Sequence, residues 1–305
     1  MPLTRLAAIV GPAHLLTDPA DLAPHLVEER GLFHGRALAV ARPGSVAEVQ
    51  ALVAACAALD LAVVPQGGRT GLCGGAVPLG GRPCLVVATD RLDRVRAVDP
   101  LDFTLTVEAG CVLAEVQRVA EEADCLFPLS LAAEGSCRVG GVLSTNAGGT
   151  AVLRYGTARD LVLGLEVVLP DGRLWNGLRR LRKDNTGYAL TQLFVGAEGT
   201  LGIVTAAVLK LFPRPRERQT ALVAVPDPRA ALALLARAKR EAGDSVTTFE
   251  LMSGLAVSMA VTHIPSLADP LPGAWPWRVL LELSAPRPQG LRPVIEDVLA
   301  QAIED

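Results

Sequence analysis

Three changes of pattern along the chain predict an α+β fold built from more than one unit. A β-α-β succession opens the ordered part, consecutive strands follow from Pro83, and strands alternate with helices again beyond Pro213 and Pro215. At 305 residues, half of them apolar, the chain has ample core for one large domain or two of ordinary size.

The elements follow in order. Residues 1–34 read as a short helical lead-in, with Asp21 as the N-cap of a stretch running to Glu29. Leu38-Ala39-Val40-Ala41 is a strand closed by Arg42-Pro43-Gly44. Ser45-Val46-Ala47-Glu48 has capping-box spacing, and apolar positions recur at helical intervals through Leu59. Leu61–Val64 is a second strand that ends in a glycine-dense loop. Strands then follow at 84–88, 95–98 and 104–108, with a helix at 113–123. The strand at 161–169 runs into the turn Pro170-Asp171-Gly172, and Ile203–Leu211 is the last strand before the proline pair that marks a boundary. Beyond it, strands at 221–225, 246–251 and 279–283 alternate with helices at 228–242, around 253–261 and at 293–303.

A formal net charge of −3 gives no electrostatic case for nucleic acid. Cys56, Cys73, Cys84, Cys111, Cys125 and Cys137 form no Cys-x-x-Cys pair, and several sit in apolar runs, so they read as buried reduced thiols. His14, His25, His34 and His263 are all more than four positions apart, and no metal site is expected from them. The apolar stretch Leu6–Val10 is too short for a secretory h-region, and no apolar run is long enough to span a bilayer. The expectation is a cytoplasmic protein that is not integral to a membrane.

The strongest functional signal is a pair of glycine-dense segments. The first is Pro65-Gln66-Gly67-Gly68-Arg69-Thr70-Gly71-Leu72, with Gly74 and Gly75 behind it. The second is Gly135-Ser136-Cys137-Arg138-Val139-Gly140-Gly141, continuing into Ser144-Thr145-Asn146-Ala147-Gly148-Gly149. Glycine reaches φ > 0 at little cost and lets backbone N–H groups converge on an anion. Each segment alone reads equally as a tight turn. Interleaved with Thr, Asn and Ser donors, the two together favour a ligand, and a diphosphate bridging two lobes is the simplest that asks for both. No Gly-x-Gly-x-x-Gly and no Gly-Lys pair occurs, so neither a Rossmann nor a P-loop site is supported.

These segments, with Leu153-Arg154-Tyr155-Gly156, Arg182–Tyr188 and Gln192–Thr205, resemble the FAD-linked oxidase family, the vanillyl-alcohol oxidase or PCMH type. Within it the likeness is greatest to D-2-hydroxyglutarate dehydrogenases, with D-lactate dehydrogenases and the glycolate oxidase D subunit nearby. The resemblance runs from about Arg36 to the C-terminus. It implies a PCMH-type FAD-binding domain of two α/β lobes over residues 35–214, and the start of an α+β cap, or substrate, domain over 215–305. Family chains continue past this point, through a His-x-Gly-Asp-Gly-Asn-x-His-like metal site that this sequence lacks, so a C-terminal portion is expected to be missing.

The resemblance further implies FAD contact by Pro65, Gln66, Gly67, Gly68, Arg69, Thr70, Gly71 and Leu72 from the first segment. From the second and its flanks it implies Pro128, Ser130, Gly135, Ser136, Gly140, Gly141, Thr145, Asn146, Gly148, Gly149 and Tyr155. Arg154 and Tyr155 are expected to flank the isoalloxazine. Glu198, Gly202 and Ile203 are expected near the adenosine end, Ile203 offering backbone groups to the adenine. The first segment holds no histidine and Cys73 has no specific support, so FAD is expected to be non-covalent. No catalytic residue is assigned. His263 reads as a helix-end histidine suited to the helix dipole. Lys183 reads equally as a group facing flavin or substrate and as a solvated loop charge.

The implied activity is oxidation of a small D-2-hydroxy acid to the 2-oxo acid by hydride transfer to flavin N5. The implied electron acceptor is an electron-transfer flavoprotein, quinone or cytochrome. The alternatives are a non-catalytic FAD-binding subunit that needs a partner chain for base and metal, and an inactive fragment.

Overall fold

The computed structural model describes residues 2–304. It has two compact units. One comprises the chain up to Phe127 with Ala132–Ala147 and Thr157–Phe212; the other comprises Pro128–Leu131, Gly148–Gly156 and the chain from Pro213.

The first unit contains two sheets. The four-stranded sheet runs, in spatial order, Leu15–Leu16, Ala39–Ala41, Cys84–Ala88, Ala62–Gln66. The last three strands are parallel, and the helix Val46–Ala58 makes the crossover between Ala39–Ala41 and Ala62–Gln66. Ala39–Ala41 and Cys84–Ala88 are buried throughout, as covered parallel strands require. Val49, Leu52, Val53 and Cys56 of the helix pack with Leu85, Val87, Val168 and Ile203. Ser45 caps this helix as expected, its Oγ accepting from Glu48 N at 3.2 Å. The Glu48 carboxylate, however, accepts from Gly44 N at 2.8 Å, one residue ahead of the N-cap.

The lead-in differs from the sequence expectation. Leu15–Leu16 pairs antiparallel with Val40–Ala41, and Leu6 and Val10 of the helix Pro2–Val10 enter the same core. The N-cap is Asp18, not Asp21: Asp18 Oδ1 accepts from Ala20 N at 2.8 Å, with Pro19 at the first helical position. The helix does not run to Glu29. It covers Pro19–Leu22 and tightens to a 3₁₀ turn at Ala23–His25, because Pro24 has no N–H to continue an α ladder. Leu22 and Leu26 then pack on Val40, Val86 and Ala88 of the sheet.

The second sheet of this unit is antiparallel, in the order Val95–Asp99, Thr104–Glu108, Ile203–Lys210, Val162–Val168, Leu174–Gly177. Four of its strands match the expected spans to within a residue, while Leu174–Gly177 was not expected; Gly172 at φ 82° turns the Pro170–Gly172 hairpin that leads into it. Glu108 is fully buried between Arg94, at 3.0 Å, and Arg96, at 3.1 Å; Arg96 also reaches Glu166 at 3.0 Å. Burial alone would raise the Glu108 carboxyl, but the two guanidiniums outweigh it and hold it below the usual range. The fully buried charge is Glu108 itself, and it is left uncompensated only if both guanidiniums are lost, a change that costs about 3–5 kcal/mol in such pairs.

The second unit is a three-stranded antiparallel sheet, Glu217–Val225, Trp277–Ala285, Val246–Ser253. Helices Pro228–Ala242 and Leu291–Glu304 cover one face, with Leu234, Ala238, Ile295 and Val298 packed on Val279, Leu281 and Leu283. The first strand begins four residues before the expected Ala221. Glu217-Arg218-Gln219-Thr220 has no apolar residue to signal a strand, yet pairs in register with Glu282–Ala285.

Candidate functional site

Within the first unit three segments come together. Gly67 lies against Gly141, so that a Cβ on Gly67 would sit 3.4 Å from Gly141 N. A Cβ on Gly68 would run into the Ser136 carbonyl and lie 2.8 Å from Cys137 Cα. The third segment is Gly196–Ile203. Gly196 N donates to Leu143 O at 3.0 Å and Glu198 N to Ser144 O at 2.9 Å. A Cβ on Gly75 would meet Glu198 Oε2 at 2.9 Å, and one on Gly199 would meet Pro65 Cγ at 3.0 Å.

The second glycine segment does not remain a loop. After Arg138 it winds into the short helix Val139–Ser144, with Gly140 and Gly141 in its first turn. Gly140 N donates to Ala109 O at 2.7 Å.

The glycines fall into two groups. At Gly68, Gly140, Gly149 and Gly202, an added Cβ would collide with the protein itself. At Gly71, Gly135 and Gly141 it would meet nothing within 4 Å. The first group is explained by chain packing. The second is left with space beside its backbone, which an approaching ligand requires.

Several of the polar side chains hold these segments together. Gln66 is buried, and its amide donates to His25 O and Ala76 O, both at 2.7 Å. Asn146, at φ 50°, accepts from Arg159 N at 2.9 Å. Arg159 in turn donates to Gln192 O and Gln192 Oε1, both at 2.9 Å. Thr145 Oγ1 donates to Gly141 O at 2.9 Å, and Ser136 Oγ to Ala133 O at 3.3 Å. Arg69 stands at φ 59° with its guanidinium half-buried, and burial lowers its pKa first, with Arg138 lowering it further and Asp90 opposing. The strand Ile203–Lys210 starts at Ile203 behind the left-handed Gly196, Glu198 and Gly199.

Pro128, Ser130, Gly148, Gly149 and Tyr155 belong to the second unit. There Thr150 N donates to Ser130 O at 3.3 Å. Arg154 Nη1 donates to Ser284 O at 2.6 Å and to Ser284 Oγ at 2.8 Å, with its guanidinium 5.1 Å from the Tyr155 ring centre. Burial raises the Tyr155 phenol, so it stays protonated at neutral pH.

The remaining candidates lie elsewhere. His263 ends the helix Gly254–His263 and is exposed, and Lys183 lies on a loop exposed from residue 181 to 190. All six cysteines are free, and burial pushes the Cys56 and Cys111 thiols up to about 11, far from thiolate chemistry. Among the described residues no group of three or more His, Cys, Asp or Glu is placed to hold a metal ion. Sequence reasoning missed His25 and Asp90. Their partners lie 41 and 48 residues away along the chain, so no local pattern marks them.

Residues 37–177 match the family described as FAD binding domain. The match covers a little under half of the chain. Its cofactor is FAD, and the two glycine segments and the open backbone of Gly71, Gly135 and Gly141 fit a ligand of that kind. The chain is 39% identical over 273 residues to the D-2-hydroxyglutarate dehydrogenase, mitochondrial, of Rattus norvegicus, an alignment covering 90% of this chain and 50% of the relative. The chain spans about half the length of the curated relatives it matches. An alkyldihydroxyacetonephosphate synthase superposes with TM-score 0.83 at 19% identity, over 99% of this chain and 61% of the synthase. A p-cresol methylhydroxylase superposes with TM-score 0.77 at 17% identity, over 99% of this chain and 63% of that one. The fold is therefore the PCMH type expected from sequence. No helix among the described residues is long and apolar enough to cross a membrane.

Proposed function

We propose that this protein is a flavin-linked dehydrogenase that oxidises a D-2-hydroxy acid of the 2-hydroxyglutarate, lactate or glycolate class to the 2-oxo acid. The observation that supports this most is the FAD-binding domain in a chain 39% identical to a D-2-hydroxyglutarate dehydrogenase. FAD, when bound, supplies the hydride acceptor at N5.

The residues of this chain bind and orient that cofactor. We assign contact to Gly67–Leu72, Gly135, Ser136, Gly140, Gly141, Thr145 and Asn146, with Glu198, Gly202 and Ile203 toward the adenosine. Pro65 and Gln66 complete the set in the first unit, and for Pro128, Ser130, Gly148, Gly149 and Tyr155 the proposal rests on the family resemblance alone. The side-chain bonds of Gln66, Asn146 and Thr145 hold these segments in place before a ligand arrives, and such preorganisation is how a site gains affinity. In this reading FAD is non-covalent, residues 35–214 form its domain and residues 215–305 begin the substrate domain. Electrons leave to an electron-transfer flavoprotein, quinone or cytochrome, and the protein works in the cytoplasm.

The test is anaerobic mixing of the flavin-loaded protein with D-2-hydroxyglutarate, D-lactate, the L-enantiomers of these two, and achiral glycolate, followed by flavin absorbance. Bleaching by one D-acid and not by its L-enantiomer is the expected result. Loss of colour with none of them refutes the dehydrogenase reading for this chain and leaves the non-catalytic FAD-binding subunit or inactive fragment named above.

A further inference from the structure

The first glycine segment is closed by a group that lies outside the matched domain. Gln66 stands at the entrance of the segment and Ala76 just past its end, and the Gln66 amide donates to the Ala76 carbonyl at 2.7 Å. Its other hydrogen goes to the His25 carbonyl, also at 2.7 Å. With both hydrogens placed, Gln66 Oε1 can only accept, and its partner is His25 Nδ1 at 2.7 Å. The proton of neutral His25 is therefore on Nδ1, and any second proton goes to Nε2. Arg69, the left-handed residue inside the segment, brings Nη1 to 3.4 Å from His25 Nδ1. Two donors face each other there, so this is a close approach of like polarity and not a hydrogen bond.

His25 reaches this position because Pro24 tightens the lead-in into a 3₁₀ turn and Leu22 and Leu26 anchor it on the sheet. The charged groups around the imidazole are Arg69, Asp90 and Arg42. Asp90 gives its Oδ2 to Arg42 Nε at 2.9 Å, while its buried Oδ1 has no hydrogen-bond partner. Asp90 favours a charged imidazole and the two arginines oppose it.

We propose that His25 is a positioning residue that holds the first glycine segment closed for FAD through Gln66, and that protonation of His25 against Arg69 weakens this hold. The inference rests on the contact assigned above to residues 67–72. Its sign follows from the surroundings: burial first, then the arginines, keep the imidazole below its ordinary value of 6.5 despite the Gln66 bond. Neutral His25 is thus the form that fits, and the hold is present above that range and lost as pH falls through it.

The experiment compares wild type, His25→Ala and His25→Asn. Asn places an amide donor where Nδ1 stood, toward Gln66 Oε1, and does not titrate. FAD dissociation constants are measured by fluorescence between pH 8 and pH 5, and hydrogen exchange of residues 66–76 is measured in the cofactor-free proteins at one pH. A net hydrogen bond is worth about a factor of three to ten. His25→Ala is expected to weaken FAD by about that factor at pH 8 and to exchange faster at residues 67–72. Wild type is expected to approach it below pH 6.5, and His25→Asn to bind as wild type does at pH 8 with a flat pH profile. The proposal is overturned if His25→Ala binds and exchanges as wild type does, or if His25→Asn loses affinity in acid in parallel with it. Faster exchange in His25→Ala with unchanged FAD affinity overturns the link to the cofactor and, with it, the contact assigned to residues 67–72.

Discussion

Gly68 and Gly141 are both glycines of the proposed cofactor site, but the structure requires them to be glycine for opposite reasons. A Cβ at residue 68 would stand 2.8 Å from Cys137 Cα, against the 3.4 Å where ordinary contact begins. The two glycine segments must then separate by more than about 0.6 Å, because the Ser136 carbonyl oxygen lies closer still, and overpacking of this kind costs about 1–3 kcal/mol. A Cβ at residue 141 meets nothing within 4 Å, and the residue sits in the first turn of a helix. There Ala replaces Gly with a gain of about 0.5–1 kcal/mol from the unfolded chain's lost freedom. Gly68→Ala should therefore lower the urea midpoint of the cofactor-free protein, and Gly141→Ala should leave it unchanged or raise it. FAD titration should rank them differently. Gly141→Val fills the open space and should weaken FAD at least about 100-fold, roughly 2.7 kcal/mol, with the cofactor-free fold intact. Tight FAD binding by a stable Gly141→Val protein would refute the idea that this space belongs to the cofactor.

The other predictions are more local. Cys137→Ala should keep FAD affinity within about threefold of wild type, because the thiol is buried packing, while urea unfolding reports the lost methylene-sized volume. Glu217 accepts from Gln289 N at 2.6 Å, Leu291 N at 2.7 Å and Gly290 N at 3.1 Å, and these bonds, the first above all, hold its carboxyl below the usual 4.5. Its contribution to stability is present above pH 4.5 and lost as pH falls through the lowered value, so Glu217→Gln should flatten the acid limb of a urea-midpoint profile. Asp227→Ala removes the cap that Arg229 N and Ala230 N share and should cost about 1 kcal/mol in thermal unfolding, with FAD affinity untouched. Arg154→Ala should cost about 1.5–3 kcal/mol by urea unfolding, since it breaks two charge-assisted bonds to Ser284.

Most of the fold was legible because its signals are local. Ala39–Ala41, Cys84–Ala88 and Thr104–Glu108 are short apolar or alternating runs bounded by turn residues, and Pro228–Ala242 carries both a cap and a period of 3.6. What stayed hidden depends on partners far along the chain. Leu15–Leu16 is too short to signal a strand and becomes one only through Val40 and Ala41. Glu217–Thr220 is polar and is recruited by Glu282–Ala285. The Asp21 expectation failed on a proline, since Pro19 fixes the helix start and so makes Asp18 the cap.

The site was legible in a more restricted sense: glycine density marks where backbones come close, but not what they come close to. At Gly68 and Gly140 the neighbour is protein, and at Gly71, Gly135 and Gly141 it is open space, yet all five letters look alike in sequence. The polar residues between them invite the opposite error. Gln66, with both amide hydrogens and its oxygen engaged, reads in sequence as a donor to the ligand and in the fold is the clasp of the loop. Asn146 likewise gives its oxygen to Arg159 N, and Thr145 its proton to Gly141 O. Side chains that lock the segments to one another leave backbone N–H groups as the natural contacts for a diphosphate. Such a site tolerates changes of side chain wherever the clasp survives, and fails where an open glycine gains a Cβ. The contrast between Gly141→Val and a conservative change at His25 tests both halves of that statement in one set of titrations.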